Sequence, residues 1–423
     1  MKAGINRCMI TPPFTGYELA GFGRPDRVCT GVHDDITLTT LVMLNQNNKC
    51  IIICADIIGF DSDFVRKIKK EIEELYGFSK DQVLLNASHT HSGPASLRNM
   101  SSSLGRVDER FMTFLHDSVL SSIKTALASV EEVEMFVGKG SCDKIGINRR
   151  RMENGVYEFA PYPAGVRNDD VTVIKLVGQE GIKAVLFNYA CHPSTIDTDF
   201  LSADYPGVAR RLIEKKLGGG AAAMFLQGCC GDIRVRTIEN NYFRAGKFED
   251  IEYFGSVLSD IVLDICRGDM EKAAPELTAA ITEMTLKTQK PTAKERLEEV
   301  LKTGAPYQQA WADFVLSNYD TFKGTYPYVL QKLNIGSNIV IYGMDGEVCT
   351  PYSIYLKEQN SGKYVITAGY SNGVIGYIPT EEMFPQGGYE PADSIMCYQL
   401  PAQFDTGIEK SIKAELDILK DKK

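Results

Sequence analysis

The chain has 423 residues, enough for one large domain or for two to three ordinary ones. It is 44% hydrophobic and 24% charged, the balance of a globular protein that buries a full core. A net charge of −9 offers no basic footprint for phosphate backbones, which argues against nucleic-acid binding, and no apolar run is long enough to span a bilayer.

The first residues, "MKAGINRCMITPP", lack the apolar core of a secretion signal and lead straight into strand-like sequence, so a cytoplasmic enzyme is the expectation. "KCIIICADIIGF" (49–60) reads as a buried strand. In the next segment, "DSDFVRKIKKEIEELYG", Phe64, Ile68, Ile72 and Leu75 share one helical face, with an acidic start and Gly77 as the stop. "QVLLNAS" is the following strand, and "HTHSGP" begins where it ends. The same grammar returns in "KAVLFNYACHPST" (183–195), "AAAMFLQGCCGD" (221–232) and "NIVIYGMDGEVCT" (338–350). This alternation predicts an α/β fold, a mixed β-sheet core with flanking helices and an active site on loops at strand ends. Residues 1–423 read as a single domain, with a helical insertion at 283–334 that reads equally as two peripheral helices. Eleven scattered cysteines, with no CxxC pair, exclude a cysteine zinc knuckle and suit buried small hydrophobes.

Of five histidines, His89, His91 and His192 sit on loops that leave strands. His89 and His91 have i, i+2 spacing, which in an extended segment points both to one face. Zinc takes imidazole and carboxylate ligands, and Glu347 stands at the end of a later strand. On local sequence alone, Glu347 reads as an exposed turn residue. Asp204 reads as a helix N-cap ahead of Pro206, and Asp232 as either a carboxylate backing a metal-bound histidine or a solvated turn residue.

Taken in order, "HTHSGP", "INR", "CHPS", "GD", "GEVCT" and "YIPTEEMFPQGGYE" resemble the neutral/alkaline (non-lysosomal) ceramidases over nearly the whole chain. The resemblance implies a zinc amidohydrolase that cleaves an N-acyl amide. It implies that His89, His192, Glu347 and Tyr377 hold Zn2+, and that His91 is the second active-site histidine. It also implies active-site roles for Arg149 and for Tyr389, the two tyrosines being separated as in the family motif.

Three features depart from the pattern. Arg234, in "GDIRVR", stands where the family has a serine assigned a catalytic role. Neither the family's C-terminal immunoglobulin-like domain nor its secretion signal is seen in this chain. The expectation is therefore a cytoplasmic relative for which long-chain ceramide is a poor substrate. A guanidinium cannot act as nucleophile or base near neutral pH, so Arg234 points to a small amide substrate with an anionic group, the alternative being a salt bridge to Asp232 or another acidic neighbour. A degenerate binding protein, or a zinc hydrolase acting on an ester or glycosidic bond, are the competing readings.

Overall fold

The computed structural model describes residues 1–24, 26–46 and 48–422. Three mixed sheets carry the architecture. The first runs, in spatial order, Val83–Ala87, Asn48–Ala55, Thr37–Asn45, Lys2–Met9 and Glu131–Glu132. The second runs Ala222–Gln227, Gly181–Tyr189, Asp170–Gly178, Glu134–Ser141 and Glu271–Lys272. The third runs Thr278–Lys287, Thr325–Gly336, Ile339–Met344 and Tyr364–Ala368.

Each sheet is antiparallel except for one parallel edge pair. A parallel pair needs a crossover, and here the crossovers are the helices Ser62–Tyr76, Asp204–Leu217 and Thr350–Gln359. The chain thus repeats one βαβ device three times. One face of each sheet enters a shared core, where Ile52 and Leu84 meet Leu186 and Leu226, and Ile341 and Ile366. The isoleucine-rich strand Asn48–Ala55 is buried on both faces from Cys50 to Ala55, as a continuous apolar run demands.

The carboxyl ends of the three parallel pairs converge. Asn86 clamps them: its side chain donates to Gly369 O (2.6 Å) and Ser371 Oγ (3.1 Å), and accepts from Gln227 N (2.9 Å). Every predicted strand named above is present, and its loop faces this point.

The helix Ser62–Tyr76 is capped by Asp61, which accepts from Asp63 N and Phe64 N, and stops at Gly77 with φ 69°. Phe64, Ile68 and Ile72 are buried as expected, but Leu75 is 61% exposed, because the buried face includes Val65 and Lys69 and continues to Tyr76, which packs on the core in its place. The helical segment is narrower than predicted. Lys294–Thr303 and Pro306–Ser317 form the pair, while residues 283–287 and 325–334 belong to two strands in register from Thr278–Asn334 to Lys287–Thr325. The pair has a small core of its own around Leu297, Trp311 and Val315, and Trp311 Nε1 donates to Leu400 O at 2.8 Å. All eleven cysteines are free thiols and eight are buried. Among the described residues, no helix is long and apolar enough to cross a membrane.

Lys69 lies on the inner face of the first crossover helix, 6% exposed, and donates to Lys80 O at 3.1 Å. Burial pushes its ammonium down to about 7, against the pull of Asp81. Between about pH 7 and 10 the folded chain then binds fewer protons than the unfolded chain, so stability rises with pH across that window. Urea melts at pH 7 and pH 9 should show a gain on the order of 2 kcal/mol in the native protein. In Lys69→Met the gain should vanish.

Candidate metal centre and its cavity

His89 follows the strand Val83–Ala87 with a backbone φ of 66°, so the loop has already left the extended conformation. The two histidines converge because the chain turns, not because a strand alternates. His89 donates its backbone N–H to Ile57 O (3.0 Å), and its Nδ1 lies 2.6 Å from Ile58 O, which directs Nε2 inward. His192 is held in the same way, with Nδ1 2.8 Å from Cys230 O and 2.9 Å from Ile233 O. Backbone carbonyls therefore do the orienting. Asp232, expected as a candidate for that task, instead accepts from Thr350 N and Oγ1 (both 2.7 Å) and from Asn148 Nδ2 (3.1 Å), touching no histidine. Asp204 is not a conventional cap either. Its carboxylate turns back to Thr195 N (2.9 Å) and Oγ1 (2.6 Å), pinning the loop after His192 to the crossover helix.

Glu347 is buried where these imidazoles meet. Its Oε2 lies 2.9 Å from His192 Nε2 and 3.2 Å from His89 Nε2. Tyr370 and Tyr398 both donate to the carboxylate, the latter at short range. His91 completes the group: one nitrogen from each of His89, His91 and His192 lies within 4.8 Å of the others. Both ring nitrogens of His91 are buried without a hydrogen-bond partner, and His89 Nε2 has only the Glu347 carboxylate within reach, at poor angle, among the described residues. Arg27 holds the His91 carbonyl at 2.9 Å. Gly21, with φ 103°, packs so closely that a Cβ there would fall 2.6 Å from the His91 ring.

Burial, together with Arg149, pushes His192 down to about 4. Burial and the other two imidazoles push His91 well below its usual range. Burial works against the Glu347 carboxylate, but His89 and His192 hold it well below the ordinary range. Burial thus favours the neutral form of His91 and His192, and both His91 ring nitrogens are unpartnered, which suits a metal cation at this centre.

The wall beside this centre carries the remaining predicted residues. Tyr377 Oη sits 3.4 Å from His192 Nε2 and accepts from Arg149 Nη2 at 3.0 Å. Arg149 Nε donates to Glu390 at 2.8 Å, and its guanidinium lies over the Tyr389 ring at 5.3 Å. Tyr389 packs against Tyr377 with centroids 5.2 Å apart, and among the described residues its hydroxyl has only the Cys397 thiol as a hydrogen-bond partner (3.4 Å). These side chains border a cavity of about 580 Å³, which His91, His192 and Arg234 also line and which Tyr307 and Gln308 of the helical pair close. All eight predicted site residues therefore reach one place. Sequence reasoning missed Tyr370, Tyr398, Arg27 and Glu390. Glu390 was within reach, since it ends the quoted "YIPTEEMFPQGGYE".

The model of the neutral/alkaline non-lysosomal ceramidase N-terminal region matches residues 1–295. The chain belongs to the neutral/alkaline non-lysosomal ceramidase family. Within this family it is similar to neutral ceramidase A of Dictyostelium discoideum, 26% identical over 250 residues, covering 54% of this chain and 35% of that protein. It is similar also to the neutral ceramidase of Oryza sativa subsp. japonica, 25% identical over 224 residues, which cover 50% and 28% of the two chains. The matches thus span about a third of the length of these curated relatives. The structure of the neutral ceramidase from Pseudomonas aeruginosa superposes with a TM-score of 0.77 at 17% identity, covering 98% of this chain and 73% of that one. A ceramidase structure described as complexed with C2 superposes with the same score. These superpositions show that the ceramidase fold extends well beyond residue 295, over 98% of the chain. The family match includes His89, His91, Arg149, His192 and Arg234 and stops short of Glu347, Tyr377 and Tyr389, which the fold brings to the centre.

Proposed function

We propose that this chain is a metal-dependent hydrolase of N-acyl amide bonds, working as one catalytic domain. The observation that carries the reading is the convergence of three buried imidazoles beside Glu347, with His91 wholly unpartnered, against a cavity walled by Arg149, Tyr377 and Tyr389. His89, His192, Glu347 and Tyr377 would hold the ion, and imidazole, carboxylate and phenol donors suit zinc. When bound there, zinc supplies Lewis-acid polarisation of a carbonyl and activation of water near neutral pH.

The chain's own residues account for the rest. His91, with both ring nitrogens free, is placed to pass a proton to the leaving amine nitrogen. The Tyr389 hydroxyl, weakly engaged by a thiol, is free to donate to the developing oxyanion. Arg149 is committed to Tyr377 and Glu390, so it acts through its charge and by orienting Tyr377. The sharing of one core by three sheets supports the single domain. Free thiols suit a cytoplasmic protein. The substrate we favour is small and soluble rather than long-chain ceramide, because an arginine stands in the wall where the family serine is expected.

The test is turnover of a panel of N-acyl amides, esters and glycosides, with and without chelator. Chelator-sensitive release of fatty acid from an amide supports the reading. Turnover restricted to esters or glycosides replaces it with a different zinc hydrolase, and ligand binding without turnover replaces it with a degenerate binding protein.

A further inference from the structure

Arg234 directly follows Ile233, whose carbonyl orients His192. Its guanidinium lies over the Phe243 ring at 4.9 Å and the Phe159 ring at 5.8 Å, in the cavity wall. Aromatic faces attract the cation but satisfy none of its N–H groups in the plane of the fork. Nε is buried with no hydrogen-bond partner.

Among the described residues no carboxylate forms an ion pair with Arg234, and Asp197, whose charge reaches it, is paired with Arg24 and Arg27. The expected alternative partner, Asp232, is committed to Thr350 and Asn148. Glu390 gives one oxygen to Arg149 and the other to Arg150. Asp393 lines the same cavity, but among the described residues it forms no ion pair with Arg234. Burial and the Arg149 charge push the Arg234 guanidinium down to about 10, against the weaker pull of Asp197 and Cys191. A half-buried, unpaired cation with its Nε wholly buried is costly unless something that binds there matches it. A planar fork of donors matches carboxylate or phosphate oxygens.

We propose that Arg234 is the anion-recognition residue of this cavity, and that the substrate is an N-acyl amide bearing a carboxylate or phosphate on its amine side. This rests on the amide-hydrolase reading above and names its substrate class. Phe22, Leu104 and Met396 give the acyl chain an apolar wall, while Arg234, next in sequence to the residue whose carbonyl holds His192, lines the same cavity as His192. In the reaction, water adds its oxygen to the acyl carbon, the C–N bond breaks and the nitrogen takes the proton. The products are a fatty acid and an amino acid or aminoalkyl phosphate.

The experiment uses two matched pairs: N-lauroylglycine against N-lauroylglycinamide, and N-lauroylethanolamine phosphate against N-lauroylethanolamine. For the native protein, kcat/KM should favour at least one anion over its neutral twin by about 10-fold or more, the scale of one charge-assisted contact. The pair with the larger ratio names the headgroup. In Arg234→Gln that ratio should fall to within about 2-fold of unity, and Arg234→Lys should keep part of it. Calorimetric binding of the same pairs to chelator-treated protein separates the two ideas. Arg234-dependent preference for the anion without turnover keeps the subsite and removes the hydrolase. Turnover without any anionic preference keeps the hydrolase and overturns the proposal. An equal loss on both members of a pair in Arg234→Gln, at unchanged melting temperature, also overturns it. If Arg234→Gln fails to fold, an undiminished ratio in Arg234→Lys does so too.

Discussion

A His89→Ala plus His192→Ala protein is expected to purify with less than about a tenth of the metal held by the native chain, which should carry close to one zinc ion. Hydrolysis should fall at least about 10³-fold, the scale on which an enzyme loses a principal catalytic element. The argument rests on what the two imidazoles do now. Each has its Nδ1 fixed by main-chain carbonyl oxygens, so each presents Nε2 to Glu347 in one orientation. Removing both leaves Glu347 and Tyr377 as the only remaining donors of the four, too few for a tetrahedral site. Folding should survive, because neither histidine clamps the sheets; Asn86 does that. Elemental analysis beside a thermal melt decides the matter. Unchanged metal content in the double variant, or a native protein that retains no transition metal at all, would remove the assignment.

How legible this was differs from residue to residue, for physical reasons. The strands were readable because a parallel pair buried on both faces must be a continuous apolar run, as in "CIIICA". His89, His91 and His192 were readable because the loops after such strands face the common centre. Glu347 was not readable from its own surroundings. "MDGEV" has the composition of a solvated turn, and only the meeting of three sheets turns that corner inward. Asp204 and Asp232 were misread for a related reason. A carboxylate near a helix start or a strand end has many possible partners, and long-range ones, Thr350 and Asn148 for Asp232, won. The helical insertion was drawn too wide because its flanking strands carry polar residues, exposed ones in Thr278–Lys287 and buried ones at Gln331, Lys332 and Asn334, which break the apolar run that signals a strand.

Glu390→Gln should be the most destabilising single change of charge in the molecule, at about 3–5 kcal/mol, the cost of stranding a buried ion. The Glu390 side chain is 0% exposed and lies between two guanidiniums, Arg149 and Arg150, each 5% exposed. Gln keeps the shape but removes the charge, and one of its two ends presents N–H groups to an arginine that can only donate. Arg150→Met should cost less, because the Arg149–Glu390 pair survives and Tyr157 keeps a neighbour against its ring. Arg149→Met should lie between the two in stability, since Glu390 retains Arg150, yet it should reduce activity most, since Tyr377 loses its donor. Thermal midpoints for the three variants test the order in stability, and kcat/KM tests the order in activity. If Glu390→Gln melts with the native protein, the two arginines find compensation elsewhere, and the electrostatic account of this wall, Arg234 included, loses its main support.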